Sequence, residues 1–432
     1  MYEDLYKYLS RFRGKTIQEI GQYFDAFDEN RLNAELDAII TMTPNDHFSG
    51  LSSFNFTVDS TLQGGRYPCA AAECRLQNLD SLAKFSAMYS EKTLIQSPVE
   101  RMINENPRYI DTFELALAIV ELLGLECVVR AGYVGFTSDY VLLCRECLRE
   151  EKEQQVAAKS LLDSVWEGVL EEFFQATETI LKADSDGELY VEIVGMERFG
   201  TEHSLMVHFN ELPSVLADVY RKRNATVLTR EEIVAAGIVN LLTPMFDDIF
   251  GVLASPISIN STHLTTRPTQ IRILEQLHSY PSNEQVAPDA FGKMCFDLAI
   301  APEASLKSIV RVRQSNYESF QIFRDALEEG YRNLESDAST ASEVKRDLID
   351  PELHKLELSL RRSKDKFKTA GGVDAVLLIS SVIAGFFNPV AFGVLAPLAA
   401  GHTVDTVLKR IDKEEVKRNP MYFLWKVNQA RR

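Results

Sequence analysis

Four of the six cysteines form two closely spaced pairs, and this pattern limits the fold more than any other feature of the sequence. Cys69 and Cys74 are separated by four residues, and Cys144 and Cys147 by two. Short turns of this kind each supply two thiolates to a tetrahedral Zn²⁺ ion. We therefore predict that one structural zinc ion, bound by these four cysteines, stabilises an N-terminal domain.

The same cysteines allow a second interpretation, in which two unrelated pairs of thiols share no ion. Four thiolates complete the coordination of Zn²⁺ and leave no position for water, so a zinc site here is structural and not catalytic. Arginines stand beside both pairs, and their guanidinium groups either offset the negative charge of a zinc–thiolate centre or are solvated. These arginines are Arg66, Arg75, Arg145 and Arg149.

The other two cysteines and the N-terminus indicate a reducing compartment. Cys127 and Cys295 lie in apolar runs, which is typical of small buried side chains. The first residues lack the basic and apolar stretches of a secretory signal. Cysteine pairs at metal-binding spacing without such a signal favour a cytoplasmic protein over a disulfide framework.

The charge of the chain is unevenly distributed. The net charge is −17, but residues 361–432 carry 13 Lys/Arg and 6 Asp/Glu, a net charge of +7, so that the first 360 residues carry −24. Binding to nucleic acid is not expected of such an acidic body, because phosphates need a basic surface. A protein partner, or a second copy of the chain, is the expected binding partner.

Length and periodicity predict an α+β protein that is mostly helical and has three regions. Residues 1–150 are expected to form an α+β domain with the four-cysteine zinc site, and residues 151–300 a mixed α/β domain. Residues 301–432 are expected to form an arm of long helices, with an apolar helical hairpin at 371–402 and a basic tail.

Local patterns place particular elements within these regions. A strongly apolar helix is predicted from Asp111 to Val129, with Asp111 as its N-cap and Gly132 at its end. The helix after Cys147 is expected to continue to about Ala183. Strands are predicted at Phe54 to Leu62, Tyr133 to Leu143, Leu189 to Val194 and Leu205 to Phe209, and Ser255 to Arg267 fits either a strand or a loop.

The sequence contains no phosphate-binding loop, dinucleotide fingerprint, kinase set or hydrolase elbow. Asp247 and Asp248 are adjacent on a predicted helix and point about 100° apart, so we interpret them as a solvated acidic patch. Asp184 to Asp186 reads as a turn whose carboxylates accept backbone hydrogen bonds. His203 and His208, five residues apart, lie on opposite faces of a strand and are not expected to share a metal.

One long apolar segment, Val373 to Ala400, stands between two basic stretches and contains a single charge, Asp374. It is long enough to cross a bilayer, but Asn388-Pro389 divides it into pieces too short to cross singly. A hairpin would return both basic flanks to one side. Such a hairpin is either buried in the protein or its oligomer, or directed to a membrane.

Three functions fit these observations. The first is a non-enzymatic, zinc-stabilised sensor or adaptor that binds a protein partner and self-associates through its C-terminal helices. The second is a latent membrane-acting effector, toxin-like or serving in defence by cell suicide, that inserts residues 373–400. The third is an enzyme whose active-site residues are dispersed along the chain. The lack of a catalytic motif favours the first.

Overall fold

The computed structural model describes part of the chain, and all structural statements concern these residues: 2–49, 52, 54–105, 109–137, 145–199, 204–209, 211–223, 226–254, 261–265, 267–278, 304–333, 419 and 422–429.

The chain begins with three helices. They are α1 (Glu3–Leu9), α2 (Ile17–Asp25) and α3 (Glu29–Met42). Thr16 and Glu19 form a capping box at the start of α2, and the Asp28 side chain caps α3 through the N–H of Arg31. Local side-chain chemistry therefore sets where these helices begin.

A four-stranded parallel sheet forms the centre of the first part of the molecule. Its strands are β1 (Asn55–Val58), β2 (Lys92–Gln96), β3 (Val134–Thr137) and β8 (Thr262–Leu264). Their spatial order is β3-β2-β1-β8, and every neighbouring pair is parallel. Phe56 on β1 is in register with Thr93 on one side and Thr262 on the other, which places β1 inside the sheet.

Three helices connect these strands: α4 (Ala72–Met88), α5 (Pro98–Glu105) and α6 (Thr112–Arg130). The predicted cap of α6 is confirmed, since the Asp111 carboxylate accepts hydrogen bonds from the N–H groups of Phe113 and Glu114. Gly132, just beyond α6, has φ +82°, the left-handed conformation that glycine adopts without strain. The parallel strand β2 and the helix α5 are not among the predicted elements.

A second unit is inserted between β3 and β8. It contains α7 (Arg145–Ala176), β4 (Glu178–Ala183), β5 (Leu189–Val194), β6 (Leu205–His208), α8 (Ser214–Arg223), β7 (Thr226–Val227), α9 (Arg230–Ala235) and α10 (Thr243–Ala254). Its four strands form an antiparallel sheet in the order β6-β5-β4-β7. Short 3₁₀ turns occur at Ser10–Phe12, Glu197–Phe199 and Ile238–Leu242.

The prediction of a helix as far as Ala183 is wrong. The helix α7 ends at Ala176, and β4 follows it directly. Leu181 on β4 pairs with Val191 on β5 across the turn that begins at Asp184. β4 is needed because β5, which the sequence predicted, requires a partner strand to satisfy its backbone groups. The predicted turn itself is confirmed, because the Asp184 carboxylate accepts from the N–H groups of Asp186 and Glu188.

The last described helices are α11 (Pro268–His278), α12 (Leu306–Ser315), α13 (Tyr317–Asn333) and α14 (Tyr422–Gln429). Helix α14 packs against α12 and α13. The Phe423 ring on α14 lies 5.2 Å from that of Phe320 and 5.8 Å from that of Phe323, measured between centroids. Helix α14 therefore packs on the same hydrophobic core as the first three helices.

Two hydrophobic cores result. The first joins α1–α6, the parallel sheet and α12–α14, and the second joins α7–α11 with the antiparallel sheet. The α+β class is confirmed. The strand β8, which falls in residues 151–300, pairs with β1 from residues 1–150. Among the described helices, none is both long and apolar enough to cross a bilayer, and the predicted hairpin at 371–402 lies outside the described residues.

Candidate functional site at the carboxyl edge of the parallel sheet

The order of the parallel strands singles out one position at the edge of this sheet. From β1 the chain moves to β2 and β3 on one side, and it returns to β8 on the other side. Open parallel sheets bind ligands outside the carboxyl ends of their strands, at the point where the strand order reverses in this way. Asp59 and Ser60 follow β1 at that point, and Thr265 and Arg267 follow β8.

Asp59 is fully buried, and its carboxylate is held from both adjoining loops. Its Oδ1 accepts the Leu62 N–H at 2.8 Å, and its Oδ2 accepts the Thr265 hydroxyl at 2.7 Å. Thr265 Oγ1 in turn accepts the backbone N–H of Arg267 at 3.1 Å. Asp59 therefore ties the loop after β1 to the loop after β8.

A second carboxylate, that of Asp248, reaches this edge from α10 in the inserted unit. Its Oδ1 accepts the Ser60 backbone N–H at 3.0 Å, and its Oδ2 accepts the Ser60 hydroxyl at 2.9 Å. Arg267 Nη1 donates to the same Oδ2 at 2.7 Å. Three donors from two strand ends thus converge on one carboxylate.

Arg267 lies at the centre of the cluster and is 0% exposed. Its Nη2 donates to the hydroxyls of Ser60, at 3.2 Å, and Thr61. Its Nε lies 3.9 Å from Asp59 Oδ2, and its guanidinium lies over the Tyr67 ring. Burial opposes its charge, but the two neighbouring carboxylates outweigh burial and raise the pKa of Arg267. The guanidinium therefore stays charged.

The cluster contains two acidic side chains and one permanent cation. Burial raises the pKa of Asp248 to about 7; the charge of Arg267 lowers this pKa, and the charge of Asp59 opposes that lowering. Burial also lowers the pKa of His263 to about 4, so this imidazole is neutral near pH 7. His263, on β8, lies between Thr57 and Gln270, with ring nitrogens 3.4 Å and 3.3 Å from their side-chain atoms.

A second ionic network holds residues 63 and 64, further along the loop after β1. Arg75 Nη1 donates to Glu114 at 2.6 Å, and its Nε donates to the Gly64 carbonyl oxygen at 2.7 Å. Arg101 donates to Glu121 and to the Gln63 carbonyl oxygen. The Arg75, Arg101 and Glu121 side chains are almost completely buried. The loop after β1 therefore contacts both ionic networks: Ser60 binds the first, and the carbonyl oxygens of Gln63 and Gly64 bind the second.

Chemically, this edge combines hydrogen-bond donors of the kind that anions need with one carboxyl group whose pKa is raised by burial to about 7. The donors around Asp248 are a backbone N–H, a hydroxyl and a guanidinium, which together match an oxyanion. Sequence reasoning missed Ser60, His263 and Arg267 as site residues. The usable signal was the polar run Asp59–Ser60–Thr61 directly after a strand, since the carboxyl ends of parallel strands gather at one edge.

The interpretation of Asp247 and Asp248 as a solvated patch is wrong for Asp248. Asp247 is exposed, whereas Asp248 points towards Ser60 and Arg267. The reason is the 100° rotation between adjacent helical positions, which directs one carboxylate to solvent and the other to the sheet.

The predicted zinc ligands are only partly described. Cys69 lies in the loop before α4 and Cys74 in its first turn, and a hydrogen bond between the two thiols raises the pKa of Cys74. These two side chains are therefore adjacent, as one half of the predicted site requires. Cys144 and the side chain of Cys147 lie outside the described residues, so the four-cysteine zinc site stays a prediction.

The arginines beside the cysteines separate into two groups. Arg75 is buried in the ionic network with Glu114 and Glu121, so the view of it as solvated is wrong. Burial of the α4 face that carries Arg75 directs it towards the carboxylates of α6. Arg145 and Arg149 are exposed on α7, as the solvated interpretation predicted. Arg66 is half exposed.

No protein-family model, curated protein or solved structure matches this chain.

Proposed function

We propose that this chain is a non-enzymatic sensor or adaptor, which binds a protein partner and self-associates through its C-terminal helices. The observation that carries the proposal is the contact of Asp248 with Ser60 and Arg267. Through this contact, the inserted unit covers the sheet edge at which an α/β enzyme would bind its substrate.

The pairing of charges at this edge supports a linking role. A catalytic acid, base or nucleophile must come within hydrogen-bond reach of its substrate. Here Asp59 and Arg267 are both fully buried, and each is bound to groups of the protein itself. Their contacts join the loops after β1 and β8 to the inserted unit.

The position of the last helix supports self-association through the C-terminal region. Helices α13 and α14 lie on either side of residues 334–421 in the sequence, yet they pack on the same core. Phe423 contacts Phe320 and Phe323. The apolar segment at 373–400 is therefore attached at both ends to one body, which would present it to a second copy of the chain.

Light scattering after size-exclusion chromatography tests this proposal. The full chain is expected to be an oligomer, and a variant lacking residues 371–402 is expected to be a monomer that melts cooperatively. Met206→Lys is the control, because Met206 is 61% exposed on the antiparallel sheet, far from this segment in the sequence, and its change should leave the oligomer intact. A monomeric full chain would contradict self-association.

The attachment of both ends also favours a second candidate, the membrane-acting effector. Since α13 and α14 belong to one core, a chain segment between them that enters a membrane must leave it on the side from which it entered. Sedimentation and leakage of vesicles rich in anionic lipid test this function. Leakage by the full chain, absent after deletion of residues 371–402, would support it. An intact chain that never associates with such vesicles would exclude it.

A further inference from the structure

We infer that Asp248 occupies an anion-binding site of the parallel sheet, and that an external oxyanion, such as a phosphate or carboxylate group, binds there when the inserted unit moves away. The site consists of the Ser60 N–H, the Ser60 hydroxyl and Arg267 Nη1, at 3.0, 2.9 and 2.7 Å from the oxygens of Asp248.

The composition of this site specifies an anion. The three groups that face Asp248 can all donate hydrogen bonds, and one of them carries a permanent positive charge. The guanidinium is held in place independently of Asp248, because its Nη2 donates to Ser60 and Thr61 and its Nε faces Asp59. Removal of Asp248 therefore leaves the donors arranged as they are.

The location of the site is a second, independent observation. Ser60 follows β1 and Arg267 follows β8, and these strands flank the point where the strand order reverses. That point is where open parallel sheets bind ligands. The group that fills it belongs to α10, an element of the second core. An internal carboxylate thus lies where a ligand of the sheet would lie, and the two compete.

The strength of this competitor depends on its charge. Because burial raises the pKa of Asp248 to about 7, a fraction of the molecules hold a neutral carboxyl group at neutral pH, which is a weaker acceptor for Arg267. Among the described residues, the charged or titratable groups that act on it are Arg267, Asp59 and Tyr67. An anion that stays fully charged at this pH therefore competes better for the site than the Asp248 carboxyl group, which is partly protonated.

This inference deepens the sensor function proposed above, and it rests on that function for the meaning of the signal. An anion that displaces Asp248 would release α10 from the sheet edge and so change how the two units are joined. Binding of the anion itself does not require a partner or an oligomer. It can therefore be measured on the chain alone.

The molecule contains a natural reporter for this displacement. Trp166 on α7 packs against Phe246 on α10, with ring centroids 4.7 Å apart, and Phe246 is two residues from Asp248. The chain has two tryptophans, and the other is Trp425. In a Trp425→Phe background, fluorescence reports on the surroundings of α10.

The Trp425→Phe background is titrated with inorganic phosphate, and separately with acetate, at constant ionic strength, and Trp166 fluorescence reports the displacement of Asp248. Binding of the same two anions to the variants at positions 247 and 248 is measured by isothermal titration calorimetry, which does not depend on that displacement. Asp248→Ala removes the internal competitor, and Asp247→Ala is the matched control, since it removes the same charge one residue away on the exposed side. Asp248→Ala is expected to bind phosphate or acetate roughly 10- to 100-fold more tightly than Asp247→Ala, the value of one charge-assisted hydrogen bond. The preferred anion shows whether the ligand is a phosphate or a carboxylate.

A second variant separates binding from folding. Ser60→Ala in the Asp248→Ala background removes one donor and should weaken the binding several-fold, while cooperative melting confirms that the chain is folded. The inference is overturned if the folded Asp248→Ala chain shows no saturable binding of either anion, or if Asp247→Ala binds equally well. Neither outcome depends on self-association, which is measured separately by light scattering.

Discussion

Replacement of Arg267 by methionine tests the charge balance of the sheet edge most directly. Methionine keeps an unbranched apolar side chain but removes the only cation within contact of Asp59 and Asp248 among the described residues. Breaking a buried ion pair by removing one partner costs about 3–5 kcal/mol, because the other charge stays buried without compensation. Arg267 faces two carboxylates and also donates to Ser60 and Thr61, so we expect a loss near the upper end of this range.

Such a loss is large compared with the whole stability of a typical domain, about 5–15 kcal/mol. Arg272→Met provides the matched control. Arg272 lies on α11, its side chain is 44% exposed, and it pairs with Glu172. Glu172 keeps Arg198 as a second partner of opposite charge when Arg272 is removed, so this variant should unfold at almost the same urea concentration as the parent chain.

The assay is urea unfolding followed by tryptophan fluorescence and circular dichroism, at pH 8 and again at pH 5. Burial raises the pKa of Asp248 to about 7, so at pH 5 this carboxyl group is neutral and depends less on a cation, and the loss should shrink at the lower pH. A loss no greater than that of Arg272→Met at pH 8 would refute the reasoning. In that case the stability of the edge does not depend on a buried ion pair, and the charge of Arg267 no longer supports the anion site.

Three further predictions concern pH, backbone conformation and metal. Between pH 4 and 6.5 the unfolded chain binds a proton at His263 that the native chain excludes, whereas at Asp248 the native chain binds the extra proton. The free energy of unfolding of His263→Gln, compared with that of the parent chain, should therefore be higher at pH 5 than at pH 7. Gly195→Ala should lower stability by about 1–3 kcal/mol, since Gly195 has φ +87° and a Cβ would overlap the Ala176 carbonyl oxygen, while Gly168→Ala on α7 should raise it by about 0.5–1 kcal/mol. Cys144→Ser should abolish zinc binding and unfold or aggregate the N-terminal domain, because zinc binding contributes folding free energy.

Each of these predictions can fail clearly. If urea midpoints of His263→Gln and the parent chain change equally between pH 5 and pH 7, His263 is not neutral in the native protein. Equal melting temperatures for Gly195→Ala and Gly168→Ala would contradict the close approach at Gly195. A folded, zinc-free Cys144→Ser chain with an unchanged melting temperature would contradict the zinc site, and Cys127→Ser, away from the predicted ligands, is its control.

Local elements of this protein could be predicted from the sequence. The cap at Asp111, the glycine at position 132 and the turn at Asp184 were all predicted, and the structure confirms them. Each depends on side-chain or backbone interactions within a few residues, which a sequence displays directly. The strands at β5 and β6 were likewise visible in their apolar, β-branched composition.

The candidate site could not be predicted in the same way. Asp59 and Arg267 are far apart in the sequence, and only the pairing of β1 with β8 brings them together. Asp248 meets them because one face of α10 packs towards the sheet. β4 was mistaken for the end of a helix, since its strand conformation is fixed by pairing with β5.

The sequence by itself determined where several of the described helices and turns begin, because interactions within a few residues decide those features. Only the tertiary structure decided which charges are buried. A carboxylate or a guanidinium enters a protein interior when a partner of opposite charge is already held there by other elements. At the edge of this sheet the partners come from β1, β8 and α10, so the site exists only once all three have been brought together.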